Sequence, residues 1–147
     1  MQNEFEIKSS TLEHVLEVEA QIPEFGAPKK ADDLEKRLAN AKMLPLVAYH
    51  RGKPIAYKLG YALNEDTFYS WLGAVIPAYR GRGIARALLL RQEAWCEAEG
   101  FSAIEVKTMN QFKTMLQMLI SHDYHIVSVK ENADPRLVKI RCRKLLG

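Results

Sequence analysis

Three arginines and two glycines carry the clearest chemistry in this 147-residue chain. They lie in the stretch Val75-Ile76-Pro77-Ala78-Tyr79-Arg80-Gly81-Arg82-Gly83-Ile84-Ala85-Arg86-Ala87-Leu88-Leu89-Leu90. An apolar run from Phe68 to Ile76 leads in, and Pro77, which has no N–H for a sheet ladder, stops it. A two-glycine loop follows, then an alanine- and leucine-rich segment of helical composition. Strand, glycine loop and helix in succession aim several backbone N–H groups at one point. Arg80, Arg82 and Arg86 crowd the start of the predicted helix, while Glu97 and Glu99 sit in its last turn. The helix macrodipole favours the opposite arrangement, by roughly 0.3–1 kcal/mol per charge. Guanidinium groups at a positive helix end repel it and one another, and a ligand with several negative charges relieves both repulsions. A diphosphate has that chemistry.

Two familiar phosphate loops do not fit. A Walker loop needs Lys-Ser or Lys-Thr after its second glycine, whereas Gly83 is followed by Ile84-Ala85. A dinucleotide fingerprint starting at Gly81 needs glycine at position 86, which is Arg86. The run Arg80-x-x-Gly83-x-Ala85 instead resembles the Arg/Gln-x-x-Gly-x-Gly/Ala signature of the GNAT N-acetyltransferase superfamily. The longer stretch Val75-x-Pro77-x-Tyr79-Arg80-Gly81-Arg82-Gly83-Ile84-Ala85 is similar to that family's motif in nearly every position. The resemblance implies acetyl transfer from acetyl-CoA to a primary amine of a small molecule or peptide, by direct attack in a ternary complex. A non-catalytic acyl-CoA-binding or sensing module of the same fold is the alternative.

The resemblance also assigns roles. The main chain of Arg80, Gly81, Arg82, Gly83, Ile84 and Ala85 would face the diphosphate, with the side chains of Arg80, Arg82 and Arg86 adding charge. Main-chain groups of Gly73, Ala74 and Val75 would meet the pantetheine arm and the thioester oxygen, and Met115 would lie against the cofactor. Asn110 would stand near the pantetheine amides, or else cap a helix. Some family members carry a glutamate base eleven residues before the signature arginine; here that position is Tyr69, which could order a water or simply pack. Glu105 and His50 are further candidates for the base. Where the family usually has a tyrosine acid, five residues before its Gly-Phe pair, this chain has Leu119 ahead of Asp123-Tyr124. Leu119 has no proton to give, which implies a different acid, water, or slower turnover. The acceptor wall falls on Glu24 and Phe25, for a cationic amine and an apolar body, and on Tyr57, with Tyr61 and Trp71 as further aromatic candidates.

Hydrophobic periodicity supplies the elements that hold these residues. Phe5 to Lys8 alternates as a first strand, and Leu12, Val15, Leu16 and Val18 give a helical stripe from Thr11 to about Ala20. Ile22 to Pro28 reads as a loop, and a surface helix follows from Asp32 or Asp33 to Lys42. Strands are predicted at 46–50, 54–63 and 68–76, joined by Arg51-Gly52-Lys53 and Asn64-Glu65-Asp66. The long helix runs from about Gly83 to Glu99 and ends at Gly100. A strand at 103–107, a helix from Asn110 to Ser121, and strands at 125–129 and 137–145 complete the chain. This order, β-α-α-β-β-β-α-β-α-β-β, predicts an α/β fold: a mixed sheet of six to seven strands with helices on both faces. It is also the GNAT order, so the resemblance covers residues 1–147 as one domain.

Composition fits that reading. The chain is 48% hydrophobic and 27% charged, ordinary values for a globular protein. The first seventy residues hold nine Lys/Arg against eleven Asp/Glu, and the remainder twelve against seven, so the cationic half is the half with the glycine loop. Nucleic acid would also favour such a charge, but one Arg-Gly-Arg-Gly inside a patterned chain is no arginine-glycine tract, and no nucleic-acid partner is expected. No apolar stretch reaches the ~20 residues of a membrane span, and Met1 to Lys8 does not read as a signal peptide. Cys96 and Cys142 are far apart and read as the reduced thiols of a cytoplasmic protein, monomer or homodimer. His122-x-x-His125 has a metal-like spacing without a carboxylate or cysteine cluster, so no metal is expected.

Overall fold

A computed structural model describes residues 5–25 and 30–147, with the main chain alone at Phe25. Its element order is β1 (Phe5–Ser9), α1 (Leu12–Glu19), α2 (Ala31–Leu38), β2 (Met43–His50), β3 (Lys53–Ala62), β4 (Thr67–Val75), α3 (Ile84–Ala98), β5 (Ala103–Met109), α4 (Lys113–Ser121), β6 (His125–Lys130) and β7 (Lys139–Leu145). The seven strands form one mixed sheet in the order β1-β2-β3-β4-β5-β7-β6. All neighbours are antiparallel except β4 and β5, which run parallel. The crossovers from β4 to β5 and from β5 to β6 carry α3 and α4, and right-handed connections in one direction put both on one face. On the opposite face α1 packs against β2 and β3, and α2 packs against α1.

Local chemistry sets these elements. Thr11 caps α1 through its hydroxyl, which accepts from the His14 N–H. Arg51 (φ 53°) and Gly52 (φ 79°) make the two-residue turn between β2 and β3. Gly100, at φ 90°, ends α3. Core side chains from both faces include Val15, Val47, Ile55, Leu59, Phe68, Leu89 and Ile104, all without measurable exposure. Among the described residues no helix is long and apolar enough to cross a membrane.

Several boundaries differ from the periodicity reading, four of them instructively. The second helix stops at Leu38 instead of Lys42, because Ala39 (φ 40°) and Asn40 (φ 72°) turn left-handed. The freed residues lengthen β2 back to Met43; Pro45 is accommodated there, and its carbonyl accepts the Ser10 N–H at 2.8 Å. The fourth helix begins at Lys113, not Asn110, since the N–H groups of Asn110 and Gln111 go to the carbonyls of Val138 and Arg136. Asn110 therefore does not cap it. Leu137 belongs to a 3-10 turn, Pro135–Leu137, ahead of β7.

One irregularity positions everything that follows. Along the β3–β4 pair the partners step from Gly60↔Ser70 to Leu59↔Leu72, so Trp71 is an extra, bulged residue of β4. The parallel β4–β5 ladder runs only from Thr67↔Ala103 to Ser70↔Val106 and stops at that bulge. Beyond it the two strands separate. Gly60 makes the close passage possible: a Cβ there would lie 2.6 Å from the Tyr69 carbonyl oxygen and against the Phe68 ring. Gly60→Ala should therefore cost at least about 1–3 kcal/mol through overpacking, read as a lowered urea midpoint with an unchanged slope.

Candidate functional site

The opening between β4 and β5 continues into two adjoining cavities. The first, about 610 Å³, is lined by Gly73, Ala74 and Val75 of β4, by Arg80, Gly81, Gly83, Ile84, Ala85 and Arg86, and by Thr114, Met115 and Met118 of α4. The second, about 440 Å³, lies beside the bulge, against Trp71, Leu72, Val106, Thr108 and Phe112. Met115, Gly73 and Lys58 border both. The sequence thus brings the glycine loop, the end of β4 and Met115 to one cleft.

The loop is a 3-10 turn, Pro77–Tyr79, followed by two left-handed glycines, Gly81 (φ 78°) and Gly83 (φ 79°). A Cβ on either glycine would meet nothing within 4 Å, so the main chain there is bare toward solvent. Gly83 occupies the N-cap of α3 and offers no capping side chain, which leaves first-turn N–H groups without an intrahelical partner. As the sequence suggests, no acid lies in the first turn of α3 and no base in its last. At the far end Glu99 pairs with Lys42, and Glu97 accepts the Gly147 N–H at 3.2 Å.

The arginines have partners that the sequence did not disclose. Arg80 reaches back to the Val75 carbonyl through Nε (3.0 Å) and forms a two-pronged bond to Glu24, at 2.7 and 3.1 Å. The fork holds the Glu24 carboxyl below the usual carboxylate range. Two residues assigned separate duties, one on the cofactor and one on the acceptor, thus meet each other. Arg86 donates from Nε to His122 Nε2 at 3.1 Å, while His122 Nδ1 lies 2.8 Å from the Met118 carbonyl. Nε2 is the acceptor of that pair, and Nδ1 is the nitrogen that faces the carbonyl. Arg82 is exposed and lies over the Tyr79 ring, 5.2 Å from its centroid.

Other sequence candidates either lie away from the cleft or only border it. Asn110 gives its amide N–H to the Pro135 carbonyl at 3.0 Å. Tyr69 lies on the α1–α2 face, edge-on to Tyr61 and beneath Lys107, and burial pushes its phenol upward. Glu105 is held by Arg141 and Arg143, at 3.2 and 3.4 Å, and His50 bonds the Tyr79 hydroxyl at 2.7 Å. Tyr57 borders the first cavity, but its buried hydroxyl turns to Glu19 of α1 at 2.5 Å. Tyr61 and Trp71 sit under the Arg37 guanidinium, whose Nε donates to Tyr61 at 2.8 Å. The Phe25 side chain and residues 26–29 lie outside the described residues. Leu119 is fully buried, and Tyr124 is spent on Glu93, whose carboxylate accepts its hydroxyl at 2.8 Å.

A flexible arm with amides and a diphosphate end fits this cleft on two counts. Ser70 Oγ borders the second cavity, is buried, and has no hydrogen-bond partner among the described residues. The bare main chain at Gly81 and Gly83 would accept phosphate oxygens at van der Waals distance, where any side chain would stand in the way.

The chain belongs to the acetyltransferase (GNAT) family, whose model matches residues 12–119. Solved structures repeat the fold end to end. The ribosomal-protein-S18-alanine N-acetyltransferase of Escherichia coli superposes with a TM-score of 0.83 at 16% identity, over 97% of this chain and 94% of that one. A GNAT family acetyltransferase from Elizabethkingia anophelis, with acetyl-CoA bound, gives 0.74 at 14% identity, over 99% and 100%. An IAA acetyltransferase from Bacillus cereus gives 0.76 at 20% identity, over 97% and 99%. At these identities the likeness is one of fold.

Gly83→Ala tests the loop. A residue with a Cβ at φ 79° should cost roughly 1–2 kcal/mol, lowering the thermal midpoint. Its methyl group should also weaken binding of coenzyme A in calorimetry by more than the fold is weakened.

Proposed function

We propose that this protein transfers an acetyl group from acetyl-CoA to a primary amine of a small molecule or peptide, with both substrates bound at once and residues 1–147 acting as one acetyltransferase domain. The observation that carries the reading is the cleft itself: a strand end left unpaired by a bulge, running into a bare glycine loop at an uncapped, arginine-ringed helix terminus. Family membership and a structural relative with acetyl-CoA bound support it.

The chain's own groups divide the work. Backbone N–H groups of the loop and the first turn of α3 hold the diphosphate, and Arg82 and Arg86 neutralise its charge. Main-chain groups of Gly73, Ala74 and Val75 face the gap and meet the pantetheine amides and the thioester oxygen. There a preformed N–H stabilises the charge that grows on oxygen as the amine attacks. Thr114, Met115 and Met118 close the outer wall and keep water from the thioester. The amine approaches from the α1–α2 face, past Trp71 and Tyr61. Tyr69 stays protonated near neutral pH, so it orders a water that accepts the amine proton instead of taking the proton itself. Glu24 leaves Arg80 when the diphosphate arrives, and its carboxylate then borders the acceptor entrance.

Two measurements test this. Thiol release from acetyl-CoA, followed over a panel of primary amines, should rise above the hydrolysis background for at least one of them; coenzyme A binding without turnover on any amine would instead leave a binding module. Arg82→Ala should weaken coenzyme A binding about tenfold, since one charge-assisted bond contributes about 1.5–3 kcal/mol. The thermal midpoint of the free protein should stay unchanged or rise slightly, because Arg82 opposes the dipole of α3.

A further inference from the structure

Lys58 is the one charge inside the apolar run from Pro54 to Leu63. It lies in the middle of β3, between Tyr57 and Leu59, and is only 5% exposed. Fully burying a lysine is rare and costly unless something in the site needs its charge. Its ammonium takes part in no hydrogen bond or ion pair among the described residues. Instead it borders both cavities at their junction, and Nζ lies 3.6 Å from the point where a Cβ of Gly73 would stand. Lys58 and Gly73 are direct cross-strand partners just past the bulge, so the amine is aimed at the stretch of β4 that faces the gap.

The charges around it leave a positive surplus. From α3, Glu93 faces Lys58 across the sheet surface, but its carboxylate already accepts the Tyr124 hydroxyl at 2.8 Å and Lys144 Nζ at 3.1 Å. Cys96, one turn along α3, is a buried thiol whose ionisation burial and Glu93 oppose. Two ammonium groups therefore lie in the field of one carboxylate, and of the two only Lys144 is bonded to it.

Resting on the acetyl-CoA reading above, we propose that Lys58 is the proton donor to the departing sulfur of coenzyme A. As the acceptor nitrogen bonds to the acyl carbon, the carbon–sulfur bond breaks and its electron pair goes to sulfur. The Lys58 ammonium passes one proton to that sulfur. The nitrogen of the new amide loses its extra proton to water, and neutral Lys58 regains one from solvent as the products leave.

Elimination favours the same group. Leu119 has no proton to give, the Tyr124 and Tyr57 hydroxyls are spent on Glu93 and Glu19, and the Tyr79 hydroxyl is bonded to His50. Arginine does not release a proton in proteins. Lys107 and Lys139, at the rim of the second cavity, are exposed to solvent instead of buried at the junction. Burial pushes the Lys58 ammonium down to about 8, with Glu93 opposing. That lies close to a free cysteine-like thiol at about 8.5, so transfer is nearly balanced in energy.

Lys58→Met keeps the stem volume and removes the charge, so the variant should fold with an equal or higher thermal midpoint. The test is the ionisation of the thiol of bound coenzyme A, followed by its ultraviolet thiolate absorbance against pH, alongside steady-state kinetics. With the wild-type protein the bound thiol should ionise at least about one pH unit below free coenzyme A, a tenfold shift in the equilibrium. With Lys58→Met that shift should vanish while coenzyme A still binds, and kcat should fall by about a hundredfold or more at little change in KM for acetyl-CoA. Identical thiol titrations in the two proteins, or a kcat within a few-fold, would overturn the assignment and leave Lys58 a structural residue. Failure of the wild-type protein to bind coenzyme A at all would instead bring down the function proposed above, and this role with it.

Discussion

A single surplus residue in β4 governs the shape of this molecule. With Trp71 bulged out, the parallel ladder between β4 and β5 closes only as far as Ser70↔Val106. Backbone polar groups cannot stay both unpaired and dry, so the strand ends beyond the bulge need a partner other than each other. One part of that need is met internally, since Arg80 Nε donates to the Val75 carbonyl. The rest faces a cleft whose walls are largely apolar, as suits an arm that is itself a chain of methylenes interrupted by amides. Gly60 and Gly73 belong to the same device: one lets β3 pass close to the bulge, and the other keeps the floor of the gap open beside Lys58.

Electrostatics completes what the backbone begins. The N-terminus of α3 carries no capping side chain and no acid, and arginines surround it. In the free protein this excess is tempered by local partners: Glu24 on Arg80, the Tyr79 ring under Arg82, and the His122 imidazole nitrogen on Arg86. Each is exchangeable for a phosphate oxygen at small cost, because Arg80 and Glu24 are well exposed and such surface pairs contribute only about 0–1 kcal/mol. The same surplus of positive charge recurs where the two cavities meet, since Lys58 and Lys144 both face Glu93 and only Lys144 is bonded to it. Both places therefore favour an anionic or anion-developing ligand, and the stretch between them favours an apolar one.

Much of this was legible in the residues alone. The element order, the strand-loop-helix at Arg80 to Ala85 and the reversed charges of α3 follow from periodicity, glycine placement and the dipole, all local properties. What was not legible depends on pairing at a distance. Nothing near Trp71 announces a bulge, because the extra residue exists only relative to the register of β3. Asn110 has a helical sequence context, but its own N–H and that of Gln111 are claimed by the loop before β7. Glu24 and Arg80, fifty-six positions apart, could not be paired by spacing. Lys58 did leave a trace: it is the one charge inside the apolar run from Pro54 to Leu63, and an isolated charge in a central strand signals either a buried partner or a site.

On the function proposed above, an acyl-CoA completes the backbone hydrogen bonding of β4 and of the glycine loop together. Amide hydrogen exchange with and without acetyl-CoA addresses it at residue resolution. Protection should rise jointly at Gly73–Val75 and Gly81–Ala85, and little on β1, β2 or β6. Protection confined to the loop, or absent from both segments while the ligand is bound, would show that the end of β4 does not take the ligand as its hydrogen-bonding partner.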